Sequence, residues 1–224
     1  MKIIPVRIYI TNKTYNQLKN NDFNFDLITE KGIDYFVISN NKNIFYHKNN
    51  FYMLTKKNNK ISFGFNLSVL DFNEKFSNFI GDVYIESMKE LNEIFFSKSN
   101  SLYFQEKQKG SLLSGINSTI FKYSYESEKY DVFDFVTEIF IKVLTGHYFI
   151  DGNKRTALML LVQLLKNFGY YFYFSDDFNL FKHSYYQTVE KELANFVQML
   201  QQNKIGHKEI KDWIYSRITI DLKF

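Results

Sequence analysis

Four side chains able to hold or move charge fall within nine consecutive positions: His147, Asp151, Lys154 and Arg155, in the run His147-Tyr148-Phe149-Ile150-Asp151-Gly152-Asn153-Lys154-Arg155-Thr156. A histidine titrates near neutral pH and suits a general base for a hydroxyl nucleophile. A carboxylate beside phosphate oxygens is a usual shared ligand of Mg²⁺. Lys154 and Arg155 supply cationic donors, Asn153 an amide, and Gly152 lets the backbone approach a ligand closely. Base, metal ligand and anion clamp therefore occupy one short loop, and Phe149 reads as the apolar anchor that fixes it to a core. Each residue taken singly has a plainer reading. His147 alone fits a helix end, where its cation complements the dipole. Asp151 alone fits a helix cap. Lys154 and Arg155 resist such a reading, because cations at a helix N-terminus oppose the dipole and need a reason of their own.

Two helices must carry this loop. Asp131 opens the clearer one, in which Val132, Phe135, Val136, Ile139, Phe140, Val143 and Leu144 form one continuous apolar face. Gly146 is the expected stop. The second helix, Thr156–Phe168, is apolar nearly all round, as a helix in the middle of a bundle is. Their tight connection sets the start of a buried helix beside the loop. There the first N–H groups have no partner within the helix and the dipole is positive, which makes an anion site with phosphate the natural anion.

The flanking elements divide the chain. Ile3–Ile10 reads as an edge strand around Pro5, and Asp34–Ser39, Asn43–His47, Phe51–Thr55 and Ile61–Phe65 as short strands of a meander separated by Asn-rich turns. Asp82 is the expected cap of a helix carrying Ile85, Met88, Leu91, Ile94 and Phe95. Lys98–Gly110 reads as a loop, Ser111–Phe121 as a helix and Tyr170–Phe174 as a short strand. Asp177–Gln202 reads as helix with a break near Lys182–Ser184, and His207–Ile218 as a last helix around Trp213. The expected fold class is mainly α, a helical bundle with a β-rich N-terminal extension, divided into residues 1–80 and 81–224.

Composition narrows the function classes. Cysteine is absent, which excludes disulfides and thiolate metal sites. Met1–Ile10 has no signal-peptide pattern and no stretch reaches the ~20 apolar residues of a membrane span, so the expected location is the cytoplasm, without membrane contact. Residues 1–80 hold eleven Lys/Arg against six Asp/Glu, yet these lysines sit in Asn-rich turns and no aromatic-basic reader motif accompanies them, so nucleic acid is not an expected partner. Arginine occurs only at Arg7, Arg155 and Arg217, which makes its use in the loop informative. His47, His183 and His207 lack comparable context and read as structural or solvated.

The run His-x-Phe-x-Asp-Gly-Asn-Lys-Arg-Thr resembles the signature of the Fic superfamily in its death-on-curing (Doc) form. Gly110-Ser111-Leu112-Leu113-Ser114-Gly115-Ile116 is similar to a segment that this family carries on an earlier helix. The resemblance covers about residues 82–205 and implies a Fic/Doc-like helical fold. It implies His147 as the catalytic base, Asp151 as the Mg²⁺ ligand, and Gly152, Asn153, Lys154 and Arg155 as the site for the phosphates of ATP. The general Fic pattern has glycine where Lys154 stands and a second arginine where Leu158 stands. These departures match the death-on-curing form, whose implied reaction is transfer of the γ-phosphate of ATP to a Ser/Thr hydroxyl. The implied target is elongation factor Tu, with translation blocked, and the implied partner is a separate antitoxin. The self-inhibiting Ser/Thr-x-x-x-Glu-Gly/Asn pattern is broken at Thr188–Glu192 by Leu193. AMP transfer to a hydroxyl, and a non-catalytic phosphate- or nucleotide-binding regulatory module, are the competing expectations.

Overall fold

The computed structural model describes residues 2–13, 43–47, 50–54, 60–95, 105–126, 129–172 and 183–220. Along the chain these form β1 (Lys2–Ile10), β2 (Asn43–His47), β3 (Asn50–Leu54), β4 (Lys60–Val69), α1 (Glu74–Phe95), α2 (Ser111–Tyr125), α3 (Val132–Thr145), α4 (Asn153–Asn167), β5 (Tyr170–Phe172), α5 (His183–Gln201), α6 (His207–Tyr215) and β6 (Ile218–Ile220). The described chain is mainly helical, as the periodicity requires. The expected strand Asp34–Ser39, most of the Lys98–Gly110 loop and positions 177–182 lie outside the described residues.

The hairpin of α3 and α4 is the centre of the bundle. Asp131 caps α3 with a carboxylate oxygen that accepts the N–H groups of Phe133 and Asp134, each at 2.9 Å, and Asp134 returns the bond to the Asp131 N–H at 2.8 Å. This reciprocal cap satisfies donors that the first turn cannot satisfy itself. The predicted apolar face of α3 is buried throughout. Helix α4 packs against α1, α3 and α5, which accounts for its leucines on nearly every side; Leu160, Leu161, Leu164 and Leu165 are all at most 1% exposed. Thr156 and Gln163 are its buried polar residues, and the Gln163 amide donates to Glu90 on α1 at 2.6 Å.

Helix α1 departs from the expectation. It begins at Glu74 rather than beyond Asp82, because Asn73 is the cap, its side-chain oxygen taking the Phe76 N–H at 3.1 Å. Its buried stripe is Phe76, Ile80, Val83, Ser87 and Leu91, while Ile85 is 65% exposed and Asp82 faces solvent. Position 85 lies two residues from both 83 and 87, and neighbours at that spacing do not share a helix face. Helix α1 also runs through the expected division at residue 80.

In the N-terminal sheet, of order β1-β4-β3-β2, strands β2, β3 and β4 form the antiparallel meander. Strand β1 instead joins β4 in parallel, so it is not part of the meander. Its edge position suits Pro5, which has no N–H for a second neighbour. The end of β1 is tied to the bundle: the Tyr9 N–H donates to the Phe168 carbonyl at 2.9 Å, and the Tyr170 hydroxyl to the Tyr9 carbonyl at 3.3 Å. The last helix stops at Tyr215 rather than Ile218, because Ile218 starts β6, which pairs antiparallel with β5.

An ionic cluster joins the cap of α3 to α6. The Lys211 ammonium lies 2.6 Å from both Asp131 and Asp134, and Lys13 lies 3.6 Å from Asp134. Burial pushes the Asp134 carboxyl up, but the bonds from Lys211 and the Asp131 N–H, with the charges of Lys211 and Lys13, hold it below the usual carboxylate range. A carboxyl depressed in the folded state stabilises the fold above its unfolded pKa, and that contribution is lost as pH falls through the folded value. Thermal unfolding followed between neutral pH and about pH 3 should therefore show a shallower acid loss for Asp134→Asn than for the unaltered chain.

Candidate functional site

The loop that leaves α3 is strained at one residue. Gly146 has ordinary helical backbone (φ −76°) and bonds back to the Lys142 carbonyl at 2.9 Å. The left-handed position expected near the helix stop falls on His147 instead, at φ 49°. Glycine is needed at 146 for room: a Cβ there would overlap the Tyr148 ring and the Lys142 carbonyl. Left-handed backbone at a non-glycine residue costs on the order of 1–3 kcal/mol and persists where the surroundings over-determine it.

Beyond His147 the loop is held from both sides. The Tyr148 carbonyl accepts the Lys107 N–H at 2.8 Å, and the Ile150 N–H donates to the Gln105 carbonyl at 3.1 Å. These bonds flank an antiparallel bridge between Glu106 and Phe149. Glu106 is fixed in turn by the Tyr84 hydroxyl at 3.1 Å and by the Gly110 N–H. Phe149 is fully buried, the anchor that its apolar character predicted. Asn153 grips the backbone of this anchor with both ends of its carboxamide, accepting the Phe149 N–H at 3.0 Å and donating to its carbonyl at 2.9 Å. One N–H and one acceptor site of its side-chain amide are thus committed to the loop. Gly152 adopts φ 91°, which only glycine adopts without penalty, and its N–H donates to Asp151 Oδ1 at 2.6 Å.

His147, Asp151, Gly152, Asn153, Lys154 and Arg155 line one pocket, with a cavity volume of about 220 Å³. Leu144 of α3 and Ile150 of the loop complete the near side. The far wall is Ala194 and Val197 of α5. Sequence reasoning missed this pair, because an Ala and a Val three positions apart on an amphipathic helix look like any core stripe. Phe149 lies under the loop and does not line the pocket.

Helix α4 opens on the pocket without a side-chain cap, and its first backbone bond runs from the Thr156 N–H to the Gly152 carbonyl at 2.8 Å. The N–H groups of Asn153 and Lys154 have no carbonyl to reach within the helix, and the positive dipole end adds to the cationic side chains there. The arrangement suits a polyanion. Leu158, one turn beyond Lys154, is 7% exposed and adds apolar contact rather than charge. For Mg²⁺, Asp151 is the carboxylate that lines the pocket. Mg²⁺ is held by one or two carboxylates shared with phosphate oxygens rather than by an all-protein cage, and no group of three or more His, Asp or Glu that could form such a cage occurs among the described residues. Asp151 supplies the one carboxylate that the shared mode needs.

Two further sequence readings are placed by their contacts. His207 sits with Nε2 3.1 Å from the Asp134 carbonyl, in the structural role expected of it. Glu192 accepts from Trp213 Nε1 at 2.8 Å and from Arg217 at 3.1 Å, so its carboxylate is engaged with the α6 region. Among the described residues no helix is long and apolar enough to cross a membrane.

Residues 82–165 match the model of the Fic/DOC family. The matched segment starts within α1 and ends within α4, so it contains His147 through Arg155 and leaves out the α5 wall. No curated protein and no solved structure matches the chain.

Replacing Asn153 with Ala removes both bonds to Phe149, each worth about 1 kcal/mol. Denaturant unfolding should record a loss of about 2 kcal/mol, and titration calorimetry with inorganic triphosphate should show weakened binding. Asn167→Ala, which loses one bond to the Gln163 carbonyl at the far end of α4, should lower stability and leave triphosphate binding intact.

Proposed function

Taking residues 82–165 as a Fic/DOC-family domain, of a family of transferases that act on nucleotides, we propose that this chain transfers the γ-phosphate of ATP to a Ser/Thr hydroxyl of another protein. The observation that carries this reading is the single pocket in which His147, Asp151, Lys154, Arg155 and the open first turn of α4 meet.

In the proposed reaction the acceptor oxygen attacks the γ-phosphorus, and the bond from that phosphorus to the oxygen bridging the β- and γ-phosphates breaks. ADP departs with the bonding electrons, and the acceptor's proton passes to a ring nitrogen of His147. Lys154, Arg155 and the N–H groups of the first turn hold the phosphates and offset their charge. Mg²⁺, when bound through Asp151 and phosphate oxygens, neutralises further charge. Phosphate transfer is favoured over AMP transfer by two residues of α4. Lys154 brings a long side chain to the pocket wall, which crowds the usual path of the triphosphate and favours the reversed nucleotide. Leu158, buried, offers no second guanidinium to the opposite orientation.

The target and partners are part of the same proposal. The chain acts as the toxin of a toxin–antitoxin pair in the cytoplasm, with a threonine of elongation factor Tu as acceptor and translation as the process stopped. Control comes from a separate antitoxin: Leu193 interrupts the self-inhibitory pattern, and Glu192 is engaged by Trp213 and Arg217. The helices from α1 onward are the catalytic unit, α5 included because it contributes to the pocket, and the N-terminal sheet is an accessory part fastened to it through Tyr9 and Phe168.

The test is transfer with Mg²⁺, a bacterial lysate and ATP labelled at the α- or the γ-phosphate. Label moving only from the γ position to one protein is the expected result; label from the α position would replace phosphate transfer with AMP transfer. The absence of both, with the chain folded, would leave a binding module. His147→Ala should lower transfer by at least about 10²-fold while inorganic triphosphate still binds.

A further inference from the structure

His147 keeps a backbone conformation (φ 49°) that is uncommon for a residue other than glycine, and what surrounds it converges on the next residue. The Tyr148 carbonyl is fixed by the Lys107 N–H at 2.8 Å. The Tyr148 ring fills the space of two missing side chains, one at Gly115 within α2 and one at Gly146 at the end of α3. A Cβ on Gly115 would lie 2.5 Å from the tyrosine oxygen and 3.2 Å from Cζ, and one on Gly146 would overlap the ring. Lys142 joins the walls of this slot. Its ammonium, on α3, bonds the Gly115 carbonyl at 3.0 Å, Ser118 Oγ at 2.9 Å and Thr119 Oγ1 at 2.7 Å, all on α2. Glycine inside a helix is unfavourable relative to alanine, so Gly115 needs a local reason, and the tyrosine tip against it is one.

We infer that Tyr148 is a positioning residue: seated between Gly115 and Gly146, its ring holds the His147 backbone in the left-handed conformation that places the imidazole in the pocket. The ring spans α2 and α3 while its own main chain is one bond from His147. With the ring out of this slot, the main chain next to His147 loses the restraint that the walls at Gly115 and Gly146 impose on it. The inference rests on His147 acting as the base in the transfer reaction, but the conformational part is measurable without that reaction.

Gly115→Ala is the sharpest probe. The new methyl group meets the far end of a side chain, so the ring moves and the helix stands; alanine also favours the helix, so melting temperature should hold or rise. Turnover should fall by about 10- to 100-fold at nearly unchanged KM for ATP. Tyr148→Ala should give a similar fall, and Tyr148→Phe, which keeps the ring, should restore most of the turnover. In the double variant the two losses should not multiply, because both act through one ring. Independently of activity, amide ¹⁵N relaxation at His147 should pass from a rigid order parameter of about 0.85 toward about 0.6 or lower in Tyr148→Ala. Multiplying losses in the double variant, or a His147 amide equally rigid in Tyr148→Ala, would overturn the clamp. If the unaltered chain transfers no label, the transfer reading fails, and the relaxation measurement still decides whether the ring holds His147.

Discussion

Everything at the candidate site depends on how the chain satisfies its backbone while reversing from α3 to α4 over a buried phenylalanine. Burying Phe149 carries its N–H and carbonyl away from water, where unpaired groups are costly. Asn153 resolves this with one side chain, bonding both groups at 3.0 and 2.9 Å. Because Asn153 is itself the first residue of α4, the same bonds fix where that helix begins. They thereby fix where its open N–H groups, Lys154 and Arg155 stand relative to His147. Asn153 is thus a fastening of the loop as well as a lining residue of the pocket.

The hairpin is held equally firmly at its far end. Asp131 and Asp134 cap α3, and the Lys211 ammonium bridges their carboxylates. Charges this close are stabilising only when each has partners, and here backbone donors, Lys211 and Lys13 supply them. Cation and cap together draw α6 onto α3, which in turn seats Trp213 among Phe140, Phe172 and Phe196. Helix α5, also bonded to this corner through Glu192, is thus set at the distance from which Ala194 and Val197 close the pocket.

Rigidity and strain are divided in a consistent way. The leucines of α4 and the apolar face of α3 form a close-packed pair that tolerates little movement. Of the two described non-glycine residues with positive φ, His147 and Asn203, His147 is the one that lines the pocket. Uncommon backbone conformation at a pocket residue is a pattern found at functional positions.

Much of this was legible in the sequence, because its signals are local. The 3.6-residue period of Val132 through Leu144, the cap at Asp131 and the all-round leucines after Thr156 report helices whose form depends on near neighbours. The dense loop from His147 to Arg155 reports a site for the same reason, since a short connection between two helices leaves its residues nowhere else to go. What the sequence misled on or left open depended on distant partners. Asp82 resembled a cap, and only the packing of Phe72 and Phe76 in the core selects the earlier start after Asn73. Strand β1 was legible as an edge strand but its partner was not, because its parallel pairing with β4 joins residues almost sixty positions apart. Gly146 ends α3 as expected, but only the packing shows why it is glycine, for lack of room beside Tyr148. The spending of the Asn153 amide on Phe149, the α5 wall and the slot at Gly115 likewise follow from which surfaces meet. Local chemistry determined what the site contains; tertiary packing decided how its parts are held, because contacts between elements far apart in the chain leave no periodic mark on either one.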